Sequence, residues 1–161
     1  MEINIIAAVA ANRAIGYQND VVYFISEDLK RFKQLTTGHT VIMGRKTFHS
    51  LPKGALPNRR NIVLSRTETD FPNCDVYSSL VEALKHIGAE EKAFILGGAS
   101  LYKEALAIAD HLYLTEIAAI PPQADVFFPE YNDDTWVVES REERPATDDN
   151  PAYAFVNYVR K

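Results

Sequence analysis

The sequence has 161 residues, 47% of them hydrophobic and 24% charged; a chain of that length buries roughly 70% of the surface it exposes when unfolded, so one ordered domain spanning residues 1–161 is expected and disorder is excluded. The formal charge is −5, and basic pairs such as Arg45-Lys46 and Arg59-Arg60 suit small anionic groups, not the long footprint of a nucleic acid. A single cysteine, Cys74, excludes an intrachain disulfide; four scattered histidines (His39, His49, His86, His111) lack ligand spacing; and the absence of a leader pattern or an apolar run near ~18 residues points to a metal-free, cytoplasmic protein that does not span a membrane.

Ile3 to Ala10 is an almost unbroken apolar run, the pattern of a strand covered on both faces. Ser26 is placed to cap a helix over Glu27 to Leu35. Thr40 to Met43 reads as a second buried strand, leading through Gly44 into a helix start, and Asn61 to Ser65 as a third. Ser79 and Glu82 form an S-x-x-E capping box for a helix from Leu80 to Ile87, which Gly88 stops. Ala93 to Leu96, a helix over Ser100 to Ala109, and Leu112 to Thr115 continue the alternation. Trp136 to Glu139 and Tyr153 to Val159 flank the polar stretch Pro-Ala-Thr-Asp-Asp-Asn-Pro and read as an antiparallel hairpin. The sum is an α/β fold: a mainly parallel sheet with helices on both faces and a C-terminal hairpin at one edge. There is no repeat or linker. Ligands of such sheets bind beyond the carboxyl ends of the strands, which directs attention to the residues there.

Asp28 lies in the first turn of its helix, where a carboxylate complements the helix dipole. It also shares a face with Phe32 and Leu35, at i+4 and i+7, so it turns toward the apolar side. A carboxylate held there is costly unless a ligand or neighbour hydrogen-bonds it, and burial raises its pKa. Gly44-Arg45-Lys46-Thr47 puts a glycine, two cations and a hydroxyl at a helix start, favourable for a phosphate. Leu96-Gly97-Gly98-Ala99-Ser100-Leu101-Tyr102 repeats the order strand, glycines, helix, and Leu64-Ser65-Arg66 adds a hydroxyl and a cation at the same edge. These turns outline an extended polyanionic nucleotide, although neither a P-loop nor a full G-x-G-x-x-G is present. One of Arg59 and Arg60 is positioned to pair with a carboxylate or phosphate. No Ser-His-Asp or Cys-His arrangement marks a covalent nucleophile.

Taken together, Ile5 to Ala10, Ala14-Ile15-Gly16, Asp28 to Lys33, Val41 to Phe48, Leu56 to Asn61, Leu64-Ser65-Arg66, Leu96-Gly97-Gly98, Tyr102 and Thr115 resemble the dihydrofolate reductase family of the bacterial chromosomal type, over essentially the whole chain. The resemblance implies NADPH-dependent reduction of dihydrofolate to tetrahydrofolate, by hydride transfer to pterin C6 and protonation of N5, in one-carbon metabolism. It implies that Asp28 holds N3 and the 2-amino group of the pterin with Thr115 in the same hydrogen-bond network. Ile6, Ala7, Leu29, Phe32, Leu51 and Leu56 are then walls for the substrate, and Arg59 pairs with the α-carboxylate of its glutamate tail. Ala8, Ile15 and Gly16 face the nicotinamide end. Gly44, Arg45, Lys46 and Thr47 hold the phosphates, Leu64, Ser65 and Arg66 the 2′-phosphate end, and Leu96 to Tyr102 the ribose and pyrophosphate, across a cis Gly97-Gly98 peptide. Tyr102 stands beside the reacting carbon, and residues from Gly16 to Phe24 match the family's loop over the site. Antifolate inhibitors are expected ligands, and a monomer the default state.

Two departures qualify this. Where many relatives carry Pro-Trp this chain has Val22-Tyr23, with the Tyr23 hydroxyl the candidate substitute for a water held by that Trp. Ala99 and Ser100 stand where relatives carry a third glycine or an arginine, leaving Arg66 to compensate. Two rival readings share part of the pattern: the related pyrimidine reductase of riboflavin synthesis, against which Asp28, Phe32 and Arg59 argue, and a non-catalytic nucleotide-binding module, against which Asp28 and Tyr102 argue.

Overall fold

The computed structural model describes residues 1–18 and 20–161. Strand β1 (Glu2–Ala10) is followed by β2 (Ala14–Tyr17), β3 (Asp20–Val21), helix α1 (Ser26–Thr36), β4 (Thr40–Gly44) and α2 (Arg45–Ser50). Next come β5 (Arg60–Leu64), β6 (Cys74–Tyr77), α3 (Leu80–Leu84), β7 (Lys92–Gly97), α4 (Ala99–Leu106) and β8 (His111–Ile117). The chain finishes with β9 (Val126–Phe127), β10 (Trp136–Arg144) and β11 (Tyr153–Arg160).

The main sheet runs β10-β11-β8-β1-β7-β4-β5-β6. All neighbours from β8 to β6 pair in parallel, while β11 is antiparallel to both β8 and β10. This is the expected mainly parallel sheet with a terminal hairpin. Side chains alternate across it. Ile5, Ile42, Ile62, Ile95, Leu112 and Leu114 face one way and pack with Leu80, Leu101 and Ala105 of α3 and α4. Ile6, Val41, Met43, Val63 and Phe94 face the other way, against Phe48 of α2 and Phe32 and Leu35 of α1. Both faces are therefore covered, which is why the inner strands read as continuous apolar runs; each large side chain so buried contributes about 1.5–3 kcal/mol. At the open edge, β10 is exposed over most of its length, carries Glu139, Arg141, Glu142 and Glu143, and is bulged between Val138 and Ser140. Charge and irregularity discourage pairing with another chain.

Local details depart from the sequence reading. Ser26 does not cap α1: the cap position is Ile25 and makes no side-chain hydrogen bond, and Ser26 is already helical. At α3 only half of the capping box forms. Ser79 Oγ accepts from the Glu82 N–H at 3.1 Å, but the Glu82 carboxylate turns to Lys85 at 2.9 Å. Regular α3 ends at Leu84, and the chain continues to Ile87 in tighter turns closed by His86 N–H to Ala83 O and Ile87 N–H to Leu84 O. Strand β6 and the small sheet β3-β2-β9 had no counterpart in the reading, because their segments are short and carry too little apolar alternation.

Candidate active site

Parallel pairing brings the carboxyl ends of β8, β1, β7, β4 and β5 to one edge of the sheet, in that order. Gly44 is paired with Leu64 on one side, and Met43 with Gly97 on the other. The three turns picked out in the sequence therefore lie side by side. A Cβ on Gly44 would stand 3.8 Å from Gly97 O and 3.9 Å from Gly98 N, and one on Gly98 would stand 4.0 Å from Thr47 Oγ1. Bare backbone at Gly44 and Gly98 leaves a shallow cradle between β4 and β7, and the peptide joining Gly97 to Gly98 is cis. Gly97 has φ +124°, and a Cβ there would press to 3.3 Å of the Tyr102 ring, so glycine is required both by conformation and by space.

Arg45, Lys46 and Arg66 are exposed around this cradle, and among the described residues none of them is engaged in an ion pair. Unpaired cations, the hydroxyls of Thr47 and Ser65, and a glycine cradle are a donor set that fits the phosphates of a dinucleotide. Ala99 opens α4 and Ser100 is exposed, so neither adds charge. Leu96 and Leu64 flank the cradle half-buried, Leu101 is buried in the core, and Ile15 packs against that core from β2.

On the other side of the edge stands Asp28. Ala8 of β1 is in register with Thr115 of β8, and Thr115, 1% exposed, donates its hydroxyl to Asp28 Oδ1. Helix α1 thus delivers its first-turn carboxylate onto the sheet, as its shared face with Phe32 and Leu35 requires. Burial raises the pKa of Asp28, opposed by the Thr115 hydrogen bond and by the charge of Arg31. Its neighbour Glu27 faces outward and is held by Arg144 at 2.7 Å and Tyr153 at 3.1 Å. The two acids of one turn have been separated into an anchor for the hairpin and a half-buried group facing the site.

Beyond Asp28, Phe32, Leu51 and Leu56 pack around Ile6 in one apolar cluster, while Leu29 is 49% exposed at the rim and Ala7 lies half-buried in β1. The structure separates the two arginines that local pattern alone leaves undivided. Arg60 is bound internally, to Asp75 at 2.9 Å and Glu91 at 3.1 Å. Arg59 forms no ion pair among the described residues; its guanidinium stands 5.9 Å from the Phe32 ring centroid, donating to Thr36 Oγ1 at 3.0 Å and to Pro57 O at 2.9 Å. Arg59 is the cation left for an anionic ligand.

Sequence reasoning missed the two residues that hold Arg59 in place. Thr36, buried at the end of α1, accepts from it, and buried Asn61 pins the preceding turn through Leu56 and Arg59 carbonyls at 2.9 and 3.0 Å. A polar residue at a helix position otherwise due to be apolar was the available signal. Also missed was Asp125, whose carboxylate accepts from Gln18 N–H at 3.0 Å and whose N–H donates to Gly16 O at 3.0 Å, tethering the segment from Gly16 toward Phe24; Asn19 within that segment lies outside the described residues.

Tyr102 is 4% exposed, with its hydroxyl 2.9 Å from Ile6 O and 2.6 Å from Leu96 O. Burial, reinforced by the charge of Asp28, holds its pKa above the usual tyrosine range. It is a neutral brace between β1 and β7 and not a source of protons. Tyr23 is half-buried between β3 and α1, and its hydroxyl has no hydrogen-bond partner among the described residues. Among the described residues no helix is long and apolar enough to cross a membrane, and no group of three or more His, Cys, Asp or Glu is gathered for a metal ion.

Comparison with known proteins gives the chain its relatives. The family model for dihydrofolate reductase matches residues 2–160. Dihydrofolate reductase of Bacillus subtilis is 41% identical over 99% of this chain and 95% of its own length, and that of Neisseria gonorrhoeae 42% identical over 100% and 99%. Among solved structures, dihydrofolate reductase from Enterococcus faecalis, in complex with NADP(H) and RAB-propyl, superposes with a TM-score of 0.91 at 29% identity, covering 99% of this chain and 96% of that one.

Proposed function

The chain belongs to the dihydrofolate reductase family, and from that premise we propose that it reduces 7,8-dihydrofolate through a substrate half built on Asp28, Thr115 and Arg59 and a cofactor half built on the glycine cradle. The observation that carries the reading is the Thr115–Asp28 hydrogen bond at the edge of the sheet, across β1 from the Gly44 and Gly97-Gly98 backbone. NADPH, when bound, supplies the hydride that reduces pterin C6.

The residues of the chain do the rest. Asp28 presents a carboxylate whose two oxygens match the paired donors of a pterin, N3 and the 2-amino group. Thr115 donates to Oδ1 and fixes the carboxylate plane, so binding costs little reorientation. Because burial disfavours the charged form of Asp28, the carboxylate gains most when a cationic or strongly donating ring lies against it; this favours substrate protonated at N5, the better hydride acceptor. Asp28 engaged at N3 does not reach N5, so the proton there comes from water, and Asp28 assists electrostatically. Ile6, Ala7, Leu29, Phe32, Leu51 and Leu56 wall the pterin and benzoyl rings and exclude water. Arg59, braced by Thr36, takes the α-carboxylate of the glutamate tail.

On the cofactor side, Ala8, Ile15 and Gly16 line the nicotinamide end, and Leu96 to Leu101 follow ribose and pyrophosphate. Gly44 with Arg45, Lys46 and Thr47 meets the phosphates, and Leu64, Ser65 and Arg66 the 2′-phosphate. Tyr102 keeps β1 and β7 at the spacing the two ligands share, and Tyr23, with its free hydroxyl at the mouth, orders water. Antifolate inhibitors compete at the Asp28 half. The protein acts as a cytoplasmic monomer with residues 1–161 as one domain. The test is direct: purified protein, dihydrofolate and NADPH are mixed and loss of NADPH absorbance is followed. Stoichiometric formation of tetrahydrofolate supports the proposal; folded protein without turnover overturns it.

A further inference from the structure

Past β5 the chain makes a short turn through Ser65, Arg66 and Thr67 to Glu68 before returning to β6. One end of this turn is tied to the sheet, since the Ser65 N–H donates to Tyr77 O at 3.0 Å. Its far end leaves the sheet and is held by α2: His49 Nε2 lies 3.1 Å from both Glu68 carboxylate oxygens. The Glu68 N–H in turn donates to Ser65 Oγ at 3.1 Å, closing the turn on itself. Behind the pair, the His49 ring packs on Phe71 with centroids 5.6 Å apart, and Phe71, 4% exposed, meets Phe48 edge-on at 5.2 Å. One side of the His49 ring is thus set by the core while its nitrogen reaches the acid.

The geometry points to His49 and Glu68 as a latch that sets the position of the Ser65-Arg66 turn against Arg45 and Lys46, making His49 a positioning residue for the discrimination of NADPH from NADH. This rests on the assignment of Ser65 and Arg66 to the 2′-phosphate. Two physical consequences lead to it. Glu68 is an acid on the same turn that receives a phosphate dianion, and left unpartnered it opposes that ligand; pairing with His49 draws its charge aside. The turn also carries its cation two residues from the latch, so release of Glu68 frees Arg66 to spread over more conformations and raises the entropy cost of fixing it on the ligand. Neither consequence touches the part of the cofactor that NADH and NADPH share.

The test measures dissociation constants for NADPH and NADH by titration calorimetry on wild type, H49A, E68A, the double variant, H49Q and R66A. The side chains are half-exposed, and thermal unfolding checks that each variant is folded. H49A is expected to weaken NADPH roughly two- to fivefold, the range of an exposed ion pair, with NADH unchanged. H49Q, whose amide N–H can reach the same carboxylate, is expected to restore most of the loss, and H49A made on E68A to add nothing further. Equal weakening of both cofactors, no weakening, or additive effects in the double variant overturns the latch. R66A distinguishes the underlying assignment: if it leaves the NADPH preference intact, the 2′-phosphate reading itself fails, whereas an R66A effect without an H49A effect removes only the latch.

Discussion

Replacing Thr115 with valine keeps a side chain of similar size at a position 1% exposed and removes the one hydroxyl that is donated to Asp28. A hydrogen bond to a charged group is worth about 1.5–3 kcal/mol. Asp28 is only half-buried, so water takes over part of the lost donation and the lower end applies. With about 1.4 kcal/mol per factor of ten, kcat/KM for dihydrofolate is expected to fall roughly tenfold. The pH dependence follows from the causes acting on Asp28. Burial raises its pKa, and the Thr115 hydrogen bond and Arg31 lower it; loss of the Thr115 donor leaves burial less opposed, so the Asp28 pKa rises further. In Thr115→Val the Asp28-dependent limb of the kcat/KM profile, measured with free enzyme and limiting substrate, therefore moves to higher pH. A limb that moves to lower pH, or an efficiency within twofold of wild type across the profile, refutes the idea that Thr115 supports the ionised carboxylate.

Arg59→Ala removes the cation held near Phe32 by Thr36 and Pro57 without an ion pair among the described residues; KM for dihydrofolate should rise on the order of tenfold or more, as for loss of a charge-assisted pair, with kcat little changed and no effect on a pterin lacking the glutamate tail. Equal losses on both substrates contradict the assignment. Gly97→Ala places a Cβ at φ +124° and 3.3 Å from the Tyr102 ring, a strain of about 1–3 kcal/mol, which calorimetry should register as a drop of roughly 2–12 °C in Tm for a chain of this size; an unchanged Tm means that the backbone adjusts freely. Asp28→Asn should stabilise the fold at neutral pH. The folded-state pKa of Asp28 lies above its ordinary value, so the folded state pays for ionising Asp28 above that pKa and pays nothing below the unfolded one. The gain in Tm over wild type should therefore shrink as pH falls through the folded pKa and vanish below the unfolded one, and a gain that grows in acid contradicts it.

The parts of the fold visible in the sequence are those in which local pattern and tertiary environment agree. The run Ile3 to Ala10 reads as a strand covered on both faces because both faces are covered, and the i, i+4, i+7 spacing of Asp28, Phe32 and Leu35 placed the acid inward without reference to any partner. Thr115 was found by family resemblance alone, since nothing in Leu112 to Thr115 says which helix will cross it. The choice of Arg59 over Arg60 likewise came from the resemblance and not from local pattern, since physically it depends on Asp75 and Glu91, remote in sequence, taking Arg60. Ser26 shows the opposite error. A good cap residue was passed over because the chain enters α1 through buried Ile25, where packing outweighs the roughly 1 kcal/mol that a cap supplies. The strands β2, β3 and β9 are four residues or fewer, too short for periodicity to mark them, and they exist because they pair with one another.

The central claim, that Asp28 anchors the pterin and assists its reduction electrostatically, is tested most directly by Asp28→Asn assayed with NADPH and dihydrofolate from neutral to acid pH. A large loss is expected at neutral pH with NADPH binding unchanged, and partial recovery in acid, where the substrate arrives already protonated. Wild-type kinetics at neutral pH, or a loss that does not ease as the pH falls, would contradict it.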